Sequence, residues 1–299
     1  MRLCNNLLLL AVVAGLGKLA GAQEAFGPWV QIPVTVTEAN VQSRLVKTLG
    51  PADFHIYDNS VEQKVGSVAT GDGPMSVGIL FDLSASMRTR ASKARDAVHN
   101  FIKAANPKDE FFLVGFSEQA EMMQPFTSST ADLEARLASA PSGKLTAFWD
   151  AMDLGIKAME RAKNPRKLLL IVGDGGDNQS HHTEREIRAR LGHSDVEVYA
   201  MCFFDPFSPM MGAHYAPQSL HEMTEETGGR AIWIDNSSEY GDVAGMISTE
   251  LRNQYVIGFR PSDLTHDGKW RKVKVKVNPP QGLPPLTVHA RTGYYAPLQ

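Results

Sequence analysis

A mostly parallel, doubly wound α/β sheet with helices on both faces, flanked by a small β module built from both chain ends, is predicted by three features of the sequence. Ser76–Phe81, Phe111–Phe116, Leu168–Val172 and Val196–Phe203 are continuous apolar runs, as expected of strands buried on both faces. Segments of helical period separate them, and alternating strands and helices fold into a parallel sheet. Towards both termini the pattern turns to period two, which marks strands buried on one face. The expected division is a signal peptide at 1–22, a β region at 23–73, the α/β domain at 74–252 and a β region at 253–299 that pairs with 23–73.

The chain starts with Arg2, an apolar stretch from Leu7 to Leu16, and Ala20-Gly21-Ala22. That order is a secretory signal cleaved after Ala22, giving an exported protein, periplasmic or extracellular. An uncleaved amino-terminal anchor is the alternative. A span needs about 20 apolar residues; Lys18 interrupts this stretch, and no later segment reaches that length, so no membrane span is expected after cleavage. The chain is 43% hydrophobic and 21% charged, which excludes wholesale disorder. Its net charge of −3 is not that of a general nucleic-acid binder. Removal of Cys4 with the signal leaves Cys202 alone, in a run that reads as a buried strand, so no internal disulfide is expected.

Val30, Ile32, Val34 and Val36 alternate with polar residues and Pro33, giving the first strand. Asp53–Tyr57 and Glu62–Val68 read as two more, turned at Asp58-Asn59-Ser60, and Thr70–Pro74 breaks the region. Helices are expected at Ala91–Ala105, Ala131–Ala140, Ala147–Ala162, Thr183–Leu191, Gln218–Thr227 and Tyr240–Arg252. Strand character returns in Gln254–Phe259, Trp270–Val277 and Leu286–Ala290.

The chemistry gathers where strands end. Asp82, Ser84 and Ser86 leave the first apolar strand at alternate positions, Thr146 opens a helix, and Asp174 follows the strand Leu168–Val172. In an open α/β sheet such ends share one rim, and ligands bind there where strand order reverses. Two carboxylates and three hydroxyls are hard oxygen donors, which favour Mg²⁺, with Mn²⁺ or Ca²⁺ possible, over zinc or copper. Taken singly, each has a simpler reading: Asp-x-Ser-x-Ser and Thr146 as helix caps, Asp174 as turn chemistry.

Together, the strand with Asp82-Leu83-Ser84-Ala85-Ser86-Met87, the Thr146–Ala151 segment and Gly173-Asp174-Gly175 resemble a von Willebrand factor type A (VWA) domain with its metal-ion-dependent adhesion site. The flanks, with Val34–Thr37, Asp53–Asp58 and Arg291-Thr292-Gly293-Tyr294-Tyr295, resemble a bacterial exported VWA-related family. The resemblance implies direct metal contacts from Ser84 and Ser86, a direct or water-mediated one from Thr146, and contacts largely through water from Asp82 and Asp174. It departs from the family at Leu145, where Gly is usual and Gly143 lies two residues earlier, and at Gly173, where Thr is common.

Other features are weighed against plainer readings. Phe204, Phe207, Met210, Met211 and Tyr215 lie in a long apolar loop expected on the metal's side of the sheet, either a partner surface or a plug folded on the body. His181 and His182 read as a solvated loop, and His221–Glu225, which lacks the second His of a zinc-peptidase helix, as helix-surface polarity. The lysines of Lys269–Lys276 could attract an acidic polymer, but a solvated strand face or a guarded sheet edge explains them more simply. No nucleophile elbow or phosphate loop appears. The expected function is exported, cation-dependent protein binding, in which an acidic side chain of a protein partner completes the metal's shell. The alternatives are a scaffold whose site stays empty and, less favoured, a metal-dependent hydrolase with Glu118 or His181 as base.

Overall fold

The computed structural model describes residues 29–39, 41–203, 216–234 and 240–298. The expected signal peptide, and Phe204, Phe207, Met210, Met211 and Tyr215 of the expected apolar loop, lie outside the described residues. Strands β1 (Val30–Glu38), β2 (Val41–Leu45), β3 (Phe54–Asp58), β4 (Val61–Gln63) and β5 (Val65–Thr70) come first. The α/β part follows as β6 (Met75–Asp82), α1 (Ala91–Lys103), β7 (Glu110–Phe116), β8 (Ala120–Thr127), α2 (Thr130–Ala138), α3 (Phe148–Met159), β9 (Arg166–Gly173), α4 (Glu184–Gly192), β10 (Val196–Phe203), α5 (Ala216–Thr227), β11 (Ala231–Ile234) and α6 (Tyr240–Asn253). Strands β12 (Tyr255–Phe259), β13 (Trp270–Val277), β14 (Leu286–Ala290) and β15 (Gly293–Tyr295) close the chain.

The central sheet has the order β11-β10-β9-β6-β7-β8, parallel throughout except for β8. Every residue of β6, β7 and β10 is buried, which is why these runs carry no polar alternation. Helices α1, α2 and α6 pack on one face, through residues such as Val98, Phe101, Leu133 and Ile247. Helices α3, α4 and α5 pack on the other, through Phe148, Met152, Ile187 and Leu220. From β6 the chain runs outward through β7 and β8, then returns to β9 on the other side of β6. Strand order therefore reverses between β6 and β9, where Asp82 and Gly173 end their strands.

The two chain ends interleave in two further sheets. Strand β1 pairs antiparallel with β12 and β14, and β12 with β5. In the second sheet, of order β15-β13-β3-β4, β13 pairs with β3. The sheets share a core containing Val34, Ile56, Ile257 and Val273. The run read as one strand, Glu62–Val68, is two: β4 closes a hairpin on β3 through Asn59 and Ser60, both at positive φ, and after Lys64 the chain crosses to the other sheet as β5.

A buried polar network lies between the central sheet and these flanks. The Arg230 guanidinium donates to Glu250 Oε2 at 2.8 Å, and the Tyr199 hydroxyl donates to Glu250 Oε1 at 2.8 Å. Gln254 Nε2 donates to Glu197 at 2.6 Å, while the Arg166 guanidinium reaches the carbonyls of Gly71 and Leu251 and the Gln254 side chain. Burial pushes the Glu197 carboxyl up to about 7, against the pull of Arg166. An acid raised in the folded state holds its proton there at pH values where the unfolded chain has lost it, so its contribution to stability falls as pH rises from about 4.5 to about 7. Glu197→Gln should therefore gain stability relative to wild type across that window, by up to about 3 kcal/mol. Urea unfolding at pH 5 and pH 8 measures it, and an equal difference at both pH values would contradict the assignment.

Candidate functional site

Three stretches of chain meet at the carboxyl ends of β6 and β9. Asp82 ends β6 and is 1% exposed, and Ser84 lies beside it, equally hidden. The Ser84 N–H donates to Asp82 Oδ1 at 2.8 Å, and the hydroxyls of Ser84 and Ser86 share a hydrogen bond of 2.9 Å. Ser84 precedes a short 3-10 turn, Ala85–Met87, without capping it through its side chain. Ser86 is exposed, so the serine pair runs from the interior to the surface.

The Thr146 stretch is tied to both neighbours. The Gly143 N–H donates to the Leu83 carbonyl at 2.8 Å, beside Ser84. The Thr146 N–H donates to Asn178 Oδ1, and the Thr146 carbonyl accepts from the Asn178 N–H. The reading of Thr146 as a cap for α3 does not hold: the N-cap residue is Ala147, and Asp177 Oδ1 accepts the Phe148 N–H at 2.9 Å. Thr146 itself is buried. Leu145, where the VWA pattern has Gly, has no positive φ and is partly exposed, so the departure strains nothing. The glycine this loop requires is Gly143, where a Cβ would sit 2.4 Å from the Ser117 Cβ.

Asp174 follows β9 and accepts the Gly176 N–H at 3.0 Å. The second departure has a spatial reason: a Cβ at Gly173 would lie 2.7 Å from the Asp82 Cβ and 2.9 Å from its Oδ2. Glycine here leaves room for the Asp82 carboxylate. Burial first, and the Asp174 charge second, push the Asp82 carboxyl up to about 7, although Ser84 and the Asp174 backbone N–H oppose them. Asp82 Oδ2 is buried and accepts no hydrogen bond from the described residues. A buried carboxylate oxygen with no donor, facing a second carboxylate, lacks a positive partner, and a hard divalent cation has the charge and ligand preference to supply one. The donor set therefore fits such an ion. Among the described residues, no three His, Cys, Asp or Glu side chains come together as a metal site of another kind.

The other polar candidates are engaged elsewhere. His181 and His182 direct both their backbone N–H groups and their Nδ1 atoms at Asp150, with the Nδ1 contacts at 2.9 and 2.8 Å. Burial would raise the Asp150 carboxyl, but these bonds outweigh it and hold it well below the usual range. The two histidines thus fasten the loop after β9 to α3, a role their spacing did not reveal. Glu118 accepts the Lys144 N–H at 2.8 Å, and backbone N–H groups, its own foremost, hold its carboxyl below the ordinary value. His221 pairs with Glu225 along α5 at 3.4 Å. Cys202 is buried in β10, and burial pushes its thiol up. The sequence assigned no role to Asp177, Asn178 or Gly143; the polar run after Asp174 was the signal for the first two, and the glycine two residues before Leu145 for the third.

Residues 77–176, which include all five oxygen-bearing candidates, match the family described as von Willebrand factor type A domain. Comparison with curated proteins finds no match. Among solved structures, the chain is similar to von Willebrand factor type A from Catenulispora acidiphila, at 10% identity over 82% of this chain and 72% of that one, with a TM-score of 0.52. It is similar to proximal thread matrix protein 1 from the mussel byssus, in a form with a zinc-occupied MIDAS motif, at 14% identity over 65% and 49% of the two chains and a TM-score of 0.52. The hypothetical protein BatB from Bacteroides thetaiotaomicron is 18% identical over 59% of this chain and 98% of its own, with a TM-score of 0.48. At these identities the likeness is one of fold.

Proposed function

We propose that this protein is an exported, divalent-cation-dependent protein-binding module, with Asp82, Ser84, Ser86, Thr146 and Asp174 as its metal site. The observation that carries the reading is the buried Asp82 Oδ2, which accepts no hydrogen bond from the described residues and faces a second carboxylate at the point where strand order reverses. Ser84 and Ser86 offer their hydroxyls to the ion, Thr146 offers a third from a loop fixed by Asn178, and Asp82 and Asp174 supply the negative charge. A bound Mg²⁺ supplies an electrophilic centre for a carboxylate of a protein partner. The structurally similar mussel protein is described with a zinc-occupied MIDAS motif, which supports the reading of an ion here.

Binding is favoured over hydrolysis because the two candidate bases are committed locally: Glu118 to backbone N–H groups and His181 to Asp150. No helix of the described residues is long and apolar enough to cross a membrane. The signal-like leader is the support for export.

Immobilised wild type and Asp82→Ala, exposed to cell-envelope extract in Mg²⁺ or in EDTA, test the proposal. Partners should be retained by wild type in Mg²⁺ and lost in EDTA or on substitution. Retention of the same proteins under all conditions would overturn it.

A further inference from the structure

The outer face of the four-stranded flank sheet is basic and aromatic. Lys272, Lys274 and Lys276 alternate with buried or half-buried residues on β13, so their side chains share the exposed face at a spacing of about 7 Å. Strand β13 pairs with β15 over Trp270–Lys272 and with β3 over Val273–Val277. None of the three makes an ion pair among the described residues. Lys276 instead lies over the Tyr57 ring at 5.0 Å. The nearby acid on this face, Glu62, is held by His55 at 2.6 Å.

Trp270 continues the row at 39% exposure. Its indole lies against Gly293, where a Cβ would meet the ring at 2.3 Å, and it meets Tyr295 edge-on at 5.0 Å. Tyr295 stacks on His193 at 3.7 Å, and both line a cleft of about 830 Å³. Trp29, 45% exposed, borders the same cleft and lies against Gly66, where a Cβ would meet its ring at 2.3 Å. Two exposed indoles thus rest on glycines, Trp29 with the Arg260 guanidinium also over its ring at 4.8 Å.

We propose that this face and cleft bind an acidic polysaccharide. Sugar rings present C–H faces that stack on indole, and carboxylates at intervals along the chain meet the row of lysines. A ligand that is itself a chain fits a strip leading into a cleft; a lipid surface is flat and would meet only the strip. Charge complementarity is local, since the whole protein is net negative.

The test uses the full chain with oligogalacturonate as the acidic probe, neutral galactan as the control, and phosphatidylglycerol vesicles to expose a preference for lipid, all in EDTA to separate this surface from the cation site. Wild type should bind oligogalacturonate at least about tenfold more tightly than galactan, and more weakly as salt rises. Replacing all three lysines, Lys272→Gln, Lys274→Gln and Lys276→Gln, should weaken binding at least about tenfold without moving the melting temperature, because the three side chains are exposed. Trp270→Leu, which keeps an apolar cover on Gly293, should weaken it severalfold. No binding by wild type, undiminished binding by either variant, or vesicle binding as tight as oligogalacturonate binding would overturn the proposal.

Discussion

Glu250→Ala should cost about 3–5 kcal/mol of stability. Glu250 is 1% exposed and joins the Arg230 guanidinium to the Tyr199 hydroxyl. Removing it takes the carboxylate away from a buried cation and leaves Tyr199 without its acceptor, which costs more than the pair itself contributes. The double variant Arg230→Met, Glu250→Leu removes both charges and should recover most of the loss. Urea denaturation of the three proteins measures this. A single variant within about 1 kcal/mol of wild type, or a double variant no better than the single, would show that the buried charge is not what holds this junction.

Asp82→Asn should invert its effect with the cation. In EDTA at pH 8 the amide removes a buried charge that faces Asp174 while retaining an oxygen for the Ser84 N–H. The variant should therefore be more stable than wild type, by on the order of 1–3 kcal/mol. In Mg²⁺ the order should reverse, because only wild type gains from binding. An ion at about 1,000 times its dissociation constant stabilises by about 4.1 kcal/mol, which exceeds the variant's advantage. Thermal melts in the two buffers measure both differences. A variant less stable than wild type in EDTA would show that the Asp82 charge is compensated by the protein alone.

Much of this arrangement was legible in the sequence. Continuous apolar runs identified β6, β7, β9 and β10 because strands covered on both faces need apolar side chains at every position. Six helices were read with ends within a few residues of those observed. The short strands β2, β11 and β15 and the edge strand β8 were not read. β8 carries Pro125 and is only half-buried, so neither periodicity marks it. The candidate ligands were legible because chemistry at the ends of parallel strands converges by topology. What supports them was not: Asp177 caps a helix that starts 29 residues earlier, and Gly173 yields space to an aspartate in another strand. The buried carboxylates of Glu197 and Glu250 likewise depend on partners brought close only by folding. The aromatic platform of Trp270, Tyr295 and His193 joins β13, β15 and the residue that follows α4, and no local pattern announces it.

Calorimetric titration of Mg²⁺ into the full chain, in parallel with Thr146→Ala and Asp174→Asn, probes the cation site most directly. The expected result is a single saturable site in wild type that weakens at least about tenfold in each variant. Wild type that takes up no ion at millimolar Mg²⁺ or Mn²⁺, or variants that bind as wild type does, would contradict the assignment of these oxygens to a metal.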